Sequence, residues 1–316
     1  MSRVAVIGAG AWGATLAVLL AEKGNEVTLW AYEGATFLPA IPVPKDVSIV
    51  GDLSHIKDAE IVYFVVPTQF IGGVAEQAKS FINPAAIVVS AAKGIEEKSL
   101  KLPVEILEEK LGKREYAVIS GPNLSSEIAK GLPAAAVVAA KYKNVAEKIQ
   151  ASLIQERFRV YTNNDVVGVE LGGALKNVVA IAAGVVDGLG LGDNAKAALL
   201  IRGIVEITRL GVSCGAKPET FAGLSGMGDL ITTCASKLSR NHFVGEELAK
   251  GKKLPDILKG MKDVAEGVAT TRAARELAKK QGIEMPITAQ VYSLLYEGKE
   301  PYSAISDLMT RAATKE

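Results

Sequence analysis

A single lysine lies inside a long apolar stretch of the chain. Residues 166–191 are predicted to be helical, and their only charged residues are Glu170, Lys176 and Asp187. Burying an ammonium group without partners is costly, and desolvation lowers the pKa of a lysine so that it can exchange protons near neutral pH. The sequence therefore predicts Lys176 as a general acid/base. Two structural alternatives remain open: a surface lysine, or an ion pair with Glu170.

Two other polar segments could contact a small anionic molecule. Ser239, Arg240 and Asn241 are consecutive, and a planar guanidinium beside hydroxyl and amide donors suits a phosphate group. Asp229 follows a glycine-rich turn, where it could contact a ligand or simply cap a helix N-terminus. Neither pattern is specific by itself, and the sequence leaves both interpretations of Asp229 open.

Glycines at positions 8, 10 and 13 form a dinucleotide-binding pattern. They follow an apolar strand, Val4–Ile7, and precede a segment rich in Ala and Leu that favours a helix. In this arrangement Gly8 permits the sharp turn, Gly10 leaves room for a pyrophosphate, and Gly13 lets the helix approach the sheet. The N–H groups at the start of that helix would then face the phosphates.

The elements that position these residues divide the chain in two. Strands and helices alternate up to residue 163, and strand signals nearly vanish beyond it. The alternation predicts an α/β fold, with an N-terminal Rossmann-like doubly wound sheet over residues 1–163 and a C-terminal all-α domain over residues 164–316. Lys93 follows the strand predicted at 86–90, and ligands bind at the carboxyl ends of such strands.

Composition excludes several classes of protein. The 316 residues are 49% hydrophobic and 22% charged, which suffices for about two domains with substantial cores. A net charge of +1 argues against nucleic-acid binding. Two cysteines and two histidines exclude a disulfide framework and Cys- or His-rich metal sites, and they indicate a reduced, cytoplasmic protein. Since no uninterrupted apolar run reaches about 18 residues, we predict no membrane span.

Taken together, these segments resemble NAD(P)-dependent glycerol-3-phosphate dehydrogenases. The resemblance runs nearly end to end, in the family's order and spacing. It rests on the glycine turn with Trp12, Ala92-Lys93-Gly94, Ile119–Pro122, Leu171–Asn177, Gly226–Leu230, Ser239–Asn241 and Met285-Pro286-Ile287. It implies hydride transfer between NAD or NADP and C2 of dihydroxyacetone phosphate, giving sn-glycerol 3-phosphate for phospholipid and lipid biosynthesis. It also implies a homodimer and no metal, because cationic side chains take the place of one.

The resemblance further implies a role for each matching residue. Lys176 would be the catalytic acid/base, and the charge of Lys93 would stabilise the same substrate oxygen. The substrate-binding residues would be Lys93, Gly121, Asn123, Lys176, Asp229, Ser239, Arg240 and Asn241. The cofactor-binding residues would be Gly8, Gly10, Ala11, Trp12, Gly13, Tyr32, Lys93, Ser125, Arg240, Val264 and Glu266.

The chain departs from the family pattern in three places. The segment after the second strand is shorter, and little more than Tyr32–Phe37 remains of it. Tyr32 replaces a basic residue common in the family, and Asn123 stands where Thr or Ser is usual. Because an acidic residue in this region favours NAD and a basic one favours NADP, Glu33 could contact the ribose or be a solvated loop charge. The choice between the two cofactors stays open.

Two other functions remain open at this stage. Another two-domain reductase, such as a 3-hydroxyacid dehydrogenase, explains the fold and the helical lysine but not Ser239–Asn241. A non-catalytic nucleotide-binding sensor would be favoured if the shortened segment had abolished turnover while cofactor binding remained.

Overall fold

The computed structural model describes residues 1–32, 41–261 and 264–312. Contacts divide the chain into two compact units, one of Met1–Lys93 with Lys101–Glu170 and one of Gly94–Leu100 with Leu171–Glu316. Glu33, and most of the shortened segment that follows it, lie outside the described residues. The domain boundary near residue 163 stays a prediction.

The first unit is built on a twisted sheet. Within the described ranges this sheet has eight strands, in the order β3-β2-β1-β4-β5-β6-β7-β8. They are β1 (Arg3–Ile7), β2 (Glu26–Trp30), β3 (Ser48–Val50), β4 (Ile61–Phe64), β5 (Ile87–Ser90), β6 (Tyr116–Ser120), β7 (Ala134–Ala140) and β8 (Phe158–Asn163). All neighbours are parallel except β6 and β7, which are antiparallel. The fold class predicted for this half is confirmed.

The strand order creates a ligand-binding position at the middle of the sheet. The chain moves outward from β1 to β2 and β3, then returns to the other side of β1 to form β4. In doubly wound sheets, ligands bind at the carboxyl ends of the strands that flank such a reversal. The glycine turn follows β1 directly, so it lies at this position.

The α-helices that lie wholly within the described part of the first unit are α1 (Ala11–Glu22), α2 (Ile71–Ala78), α3 (Pro103–Leu111), α4 (Ser125–Ile128) and α5 (Lys143–Leu153). Two carboxyl groups satisfy the start of α3, because Glu105 accepts from Leu102 N and Glu170 accepts from Val104 N at 2.9 Å. Burial raises the pKa of Glu170 to about 8. The hydrogen bond from Val104 lowers this pKa, and the negative charges of Glu105 and Glu108 raise it further. Glu170 is therefore a structural residue of the first unit.

Among the described residues of the second unit, every regular element is a helix, and the segment Gly94–Leu100 contains none. This confirms the predicted all-α half. The α-helices are α6 (Val166–Gly188, in this unit from Leu171), α7 (Gly192–Ser213), α8 (Asp229–Ala235), α9 (Arg240–Ala249), α10 (Leu254–Lys259), α11 (Glu266–Gln281), α12 (Pro286–Tyr296) and α13 (Pro301–Met309).

Helix α6 is the core helix of this unit. By length and composition it could cross a bilayer, with a mean hydropathy of 1.6, but 89% of its most apolar window is buried inside the structure. Its first turn is capped by Asp165, whose carboxylate accepts from Gly168 N at 2.9 Å. The change of pattern at Asn163–Asp165 therefore marks a helix start.

A buried glutamate explains the Met285-Pro286-Ile287 segment. Glu206 of α7 accepts hydrogen bonds from Ile287 N at 2.8 Å, from Thr288 N at 2.9 Å and from the Thr288 hydroxyl at 2.7 Å. Burial raises the pKa of Glu206, and these hydrogen bonds oppose the rise. The carboxylate satisfies the first N–H groups of α12, so this segment of the family pattern has a structural role.

Candidate active site

The turn after β1 can exist only with glycine at two of its positions. Gly8 has φ +115°, and a Cβ there would lie 2.5 Å from Val65 O, at the end of β4. A Cβ on Gly13 would lie 1.8 Å from Gly8 O. The turn therefore packs its own backbone against α1 and β4, as the glycine pattern predicts.

This turn also leaves room and donors for a phosphate group. Gly10 is exposed, and a Cβ there would meet nothing within 4 Å. No side chain caps α1 at Gly10, and the Trp12 Nε1 is buried without a hydrogen-bond partner among the described residues. A pyrophosphate at the start of α1 would supply acceptors for unpaired N–H groups, so these residues fit a bound dinucleotide.

Tyr32 stands apart from the glycine turn, beyond the end of β2. It is 75% exposed, and its ring meets the edge of Trp30 with centroids 6.0 Å apart. The Trp30 indole in turn donates to Gly51 O at 3.0 Å, next to β3. The strand end thus presents an exposed aromatic ring where dinucleotide-binding sheets contact the adenosine ribose.

The predicted substrate residues of the first unit cluster near the ends of β5 and β6. Lys93 donates from Nζ to Gly121 O at 2.8 Å. Gly121 has φ +133°, and Asn123 donates to Ala135 O at 3.4 Å while its own Oδ1 is buried without a partner in the described chain. Ser125 begins α4, and its carbonyl accepts from Thr15 of α1 at 3.4 Å. A cation and an unsatisfied amide oxygen therefore lie at the ligand-binding edge of the sheet.

The predicted residues of the second unit centre on Lys176. Lys176 is only 7% exposed, so it is not a surface lysine. Its Nζ lies 3.0 Å from Asp229 Oδ1 and donates to the Thr233 hydroxyl at 2.6 Å. Thr233 donates to the same Asp229 oxygen at 3.2 Å. The three side chains form a buried cluster of an ammonium, a carboxylate and a hydroxyl, each in contact with the other two.

Close backbone contact between two segments brings this cluster together. A Cβ on Gly172 would lie 2.7 Å from Ser225 O, so α6 can touch the turn over Leu224–Gly228 only because residue 172 is glycine. Lys176 follows Gly172 by one helical turn, and Asp229 follows Ser225 by the same number of residues. Asp229 is thus the first residue of α8 with its carboxylate on Lys176, and the interpretation of Asp229 as a simple N-cap is wrong.

The start of α9 carries the predicted phosphate segment. The Ser239 side chain accepts from His242 N at 3.2 Å and caps the helix, and Arg240 is its exposed first residue. His242 is buried and contacts Asp187 of α6 at 2.7 Å through Nε2. Burial raises the pKa of Asp187, but hydrogen bonds from Lys196 and His242 outweigh this effect and hold the pKa below its usual value. His242 therefore anchors α9, while the helix start offers Arg240 and N–H groups suited to an anion.

Asn241 and the start of α11 are joined to α6 by side-chain amides. Asn241 donates from Nδ2 to Asn177 Oδ1 at 2.8 Å, and its Oδ1 accepts from Gly267 N at 2.9 Å. Glu266 is the first residue of α11, and Val264 is exposed just before it. The predicted residues of this unit therefore lie on elements that contact one another.

Sequence reasoning assigned no role to two polar residues of this region, Thr233 and Asn177. Thr233 carries a readable signal, since it stands four residues after Asp229 and hence on the same helix face. Asn177 is visible as a second polar residue in an apolar helix, but its partner Asn241 is 64 residues away. No local pattern predicts such a pair.

Comparison with known proteins identifies the family to which the chain belongs. Residues 3–146 match the model of the NAD-dependent glycerol-3-phosphate dehydrogenase N-terminus, and residues 165–306 match that of the C-terminus. Proteins named glycerol-3-phosphate dehydrogenase [NAD(P)+] from Citrifermentans bemidjiense and Koribacter versatilis are 48% and 47% identical, over 98% and 100% of this chain and 97% and 99% of their own. The crystal structure of glycerol-3-phosphate dehydrogenase from Coxiella burnetii superposes with a TM-score of 0.94 at 37% identity, covering 98% of this chain and 99% of that one. The chain belongs to the NAD-dependent glycerol-3-phosphate dehydrogenase family.

Proposed function

We propose that this protein catalyses the reversible reduction of dihydroxyacetone phosphate to sn-glycerol 3-phosphate with NADH or NADPH, which supplies the backbone of glycerophospholipids. Family membership over nearly the whole chain supports this reaction. The observation that carries the assignment of residues is the buried cluster of Lys176, Asp229 and Thr233. When bound, the reduced cofactor supplies the hydride that adds to C2 of the substrate.

Lys176 is the acid/base of this reaction. During reduction its ammonium donates a proton from Nζ to the C2 oxygen, and in the reverse direction its amine accepts that proton. Asp229 and Thr233 hold Nζ in place through contacts of 3.0 and 2.6 Å. Because all three side chains are buried, little reorganisation is needed when the proton moves.

Residues after β5, at the start of α9 and in the turn after β1 bind the rest of the substrate and the cofactor. Lys93 places a positive charge beside Gly121 and stabilises the oxygen on which negative charge develops. Arg240 and the N–H groups at the start of α9 bind the substrate phosphate. The turn from Gly8 to Gly13 binds the pyrophosphate of the cofactor.

Substitution of Lys176 tests this assignment. We expect Lys176→Met to lower kcat with dihydroxyacetone phosphate by at least about a hundredfold, which is the usual contribution of a positioned proton donor, with NADH affinity nearly unchanged. Lys176→Arg preserves a positive charge but not a group that releases a proton, so it should be as inactive. Lys143→Met removes a surface lysine whose side chain is 85% exposed and serves as the control. An unchanged kcat in Lys176→Met would remove Lys176 from the mechanism.

Comparison of substrates tests the phosphate assignment and the two competing functions. We expect Arg240→Ala to raise KM for dihydroxyacetone phosphate while leaving turnover of dihydroxyacetone unchanged, with Arg202→Ala on α7 as the control. Oxidation of NADH only with non-phosphorylated keto acids would favour a 3-hydroxyacid dehydrogenase. Tight NADH binding without oxidation of NADH or NADPH by any of these substrates would favour a nucleotide sensor.

A homodimer is the proposed assembly, and the cytoplasm the proposed location. Helix α7 exposes Ile201, Val205 and Val212 on one side, at the spacing of a single helical stripe, and a second copy would cover these side chains. Neither Cys214 nor Cys234 forms a disulfide within the described residues, which suits a reducing compartment. Light scattering should give twice the chain mass, and Val205→Lys should halve it. A monomeric wild-type protein would exclude the dimer.

A further inference from the structure

The side-chain amide of Asn241 uses both of its ends within the protein. Its Oδ1 accepts from Gly267 N at 2.9 Å, and its Nδ2 donates to Asn177 Oδ1 at 2.8 Å. Asn177 completes the chain by donating from its own Nδ2 to Gly173 O at 3.3 Å. Both asparagines are buried, so losing either partner would leave polar groups away from water.

The backbone at Gly267 shows how closely these elements are packed. A Cβ there would lie 2.6 Å from Asn177 O and 2.8 Å from Asn241 Oδ1. Glycine at 267 therefore lets the start of α11 reach α6 and α9 at once. The contact holds its geometry through backbone atoms as well as through the two amides.

The three elements joined by Asn241 each carry a residue with a proposed role. Asn177 is next to Lys176 on α6, Asn241 is next to Arg240 on α9, and Gly267 is next to Glu266 on α11. A shift of any one helix relative to the others would move the acid/base, the phosphate ligand or the cofactor contact. A displacement of about 1 Å at such groups can cost a hundredfold in rate.

We propose that the side chain of Asn241 is a positioning residue, which locks the start of α9 and the start of α11 onto the turn of α6 that carries Lys176. This role rests on the proposed function and replaces the substrate phosphate as the principal partner of the Asn241 side chain. Any contact of residue 241 with phosphate is then made by its backbone N–H at the start of α9.

Asn241→Leu keeps the size of the side chain and removes both hydrogen bonds. We expect KM for dihydroxyacetone phosphate and Kd for NADH each to rise about tenfold, because the starts of both helices lose their anchor. Turnover of dihydroxyacetone should fall by a similar factor, since Lys176 loses its alignment as well. A ligand of the phosphate alone would affect only the phosphorylated substrate.

Asn241→Asp separates the two hydrogen bonds. A carboxylate still accepts from Gly267 N but cannot donate to Asn177. NADH affinity should therefore stay within about twofold of the wild type, while KM for dihydroxyacetone phosphate rises and kcat falls. Asn177→Ala removes the same hydrogen bond from the other side, and the double variant with Asn241→Asp should be no worse than the more affected single variant. Asn25→Leu is the matched control, because the side-chain amide of Asn25 also joins separate segments, donating from Nδ2 to Leu20 O at 2.9 Å and to Ser152 O at 3.1 Å within the first unit.

The outcomes are distinct. Unchanged NADH affinity in Asn241→Leu, or a loss confined to the phosphorylated substrate, would overturn the positioning role. Independent, additive losses in Asn177→Ala and Asn241→Asp would do the same. If the wild-type protein did not oxidise NADH with dihydroxyacetone phosphate, the proposed function would fail, but the NADH affinities would still decide whether Asn241 anchors α11.

Discussion

The ion pair of Lys176 and Asp229 should contribute to the stability of the folded protein. This contribution can be measured separately from any role of the two residues in turnover. The two charged atoms lie 3.0 Å apart, and the side chains are 9% and 3% exposed. At an effective dielectric constant of about 20, unit charges at that distance attract one another by about 5.5 kcal/mol. Desolvation offsets much of this energy in the intact pair, but removing one partner leaves the other charge buried and should cost about 3–5 kcal/mol.

A double-mutant cycle measures this coupling. We expect Lys176→Met and Asp229→Asn each to lower the free energy of unfolding by about 3–5 kcal/mol, since each takes from a buried charge the opposite charge that lies 3.0 Å away. The double variant contains neither charge, so its loss should be smaller than the sum of the single losses by about 3 kcal/mol. Urea unfolding at pH 7, followed by the helical circular dichroism signal, provides all four free energies.

An exposed pair on α11 is the matched control. Lys279 and Glu276 lie 2.7 Å apart, closer than the buried pair, but their side chains are 57% and 47% exposed. Solvent screening should limit the coupling in the cycle of Lys279→Met and Glu276→Gln to about 0.5 kcal/mol or less. Additive losses in the Lys176 cycle, or equal coupling in both cycles, would refute the inference that burial makes the Lys176 pair strong.

Three other perturbations test separate parts of the structure. Burial raises the pKa of Glu170 from 4.5 to about 8, so the folded state keeps a proton that the unfolded chain releases. Stability should therefore fall by on the order of 5 kcal/mol between these pH values, and Glu170→Gln should abolish that dependence in urea titrations. Gly13→Ala should lower both the unfolding midpoint and NADH affinity because its Cβ would meet Gly8 O at 1.8 Å, whereas Gly10→Ala, with open space around it, should lower NADH affinity alone. Tyr32→Arg should shift the ratio of kcat/KM for NADPH over NADH upward by about tenfold or more, since residue 32 is exposed where a 2′-phosphate would bind; an unchanged ratio would place the ribose elsewhere.

Local patterns in the sequence were sufficient for the features that depend on neighbouring residues. The glycine turn, the strand before it and the helix after it depend on spacing within ten residues, and all three are present. The alternation of strands and helices predicted the mainly parallel sheet. It could not predict the antiparallel pairing of β6 with β7, because strand direction depends on how the chain returns to the sheet and not on strand composition.

Contacts between distant segments were beyond the sequence pattern. Asp229 looked like a helix cap because glycines precede it, but the turn over Leu224–Gly228 winds directly into α8 and makes Asp229 its first helical residue. Glu170 looked like a partner for Lys176 because it lies nearby in the chain, yet it accepts from Val104 N at the start of α3, and both residues belong to the first unit. In both cases the sequence indicated correctly that the polar side chain needs a partner, but it indicated the wrong partner. The actual partner depends on how distant segments pack together.

The lysine of α6 reconciles two demands that conflict in the sequence. The helix must be apolar because its neighbours bury it, and an ammonium group is tolerated there only with a carboxylate and a hydroxyl within hydrogen-bond reach. Asp229 and Thr233 provide both from one face of α8, which Gly172 allows to approach. The contacts that make the charge tolerable also fix the position of Nζ, and a fixed position is what proton transfer to one substrate oxygen requires. The proposed chemistry therefore depends on burial of this lysine. A solvated amine would need no such contacts, and nothing would then hold its Nζ in line with the substrate oxygen.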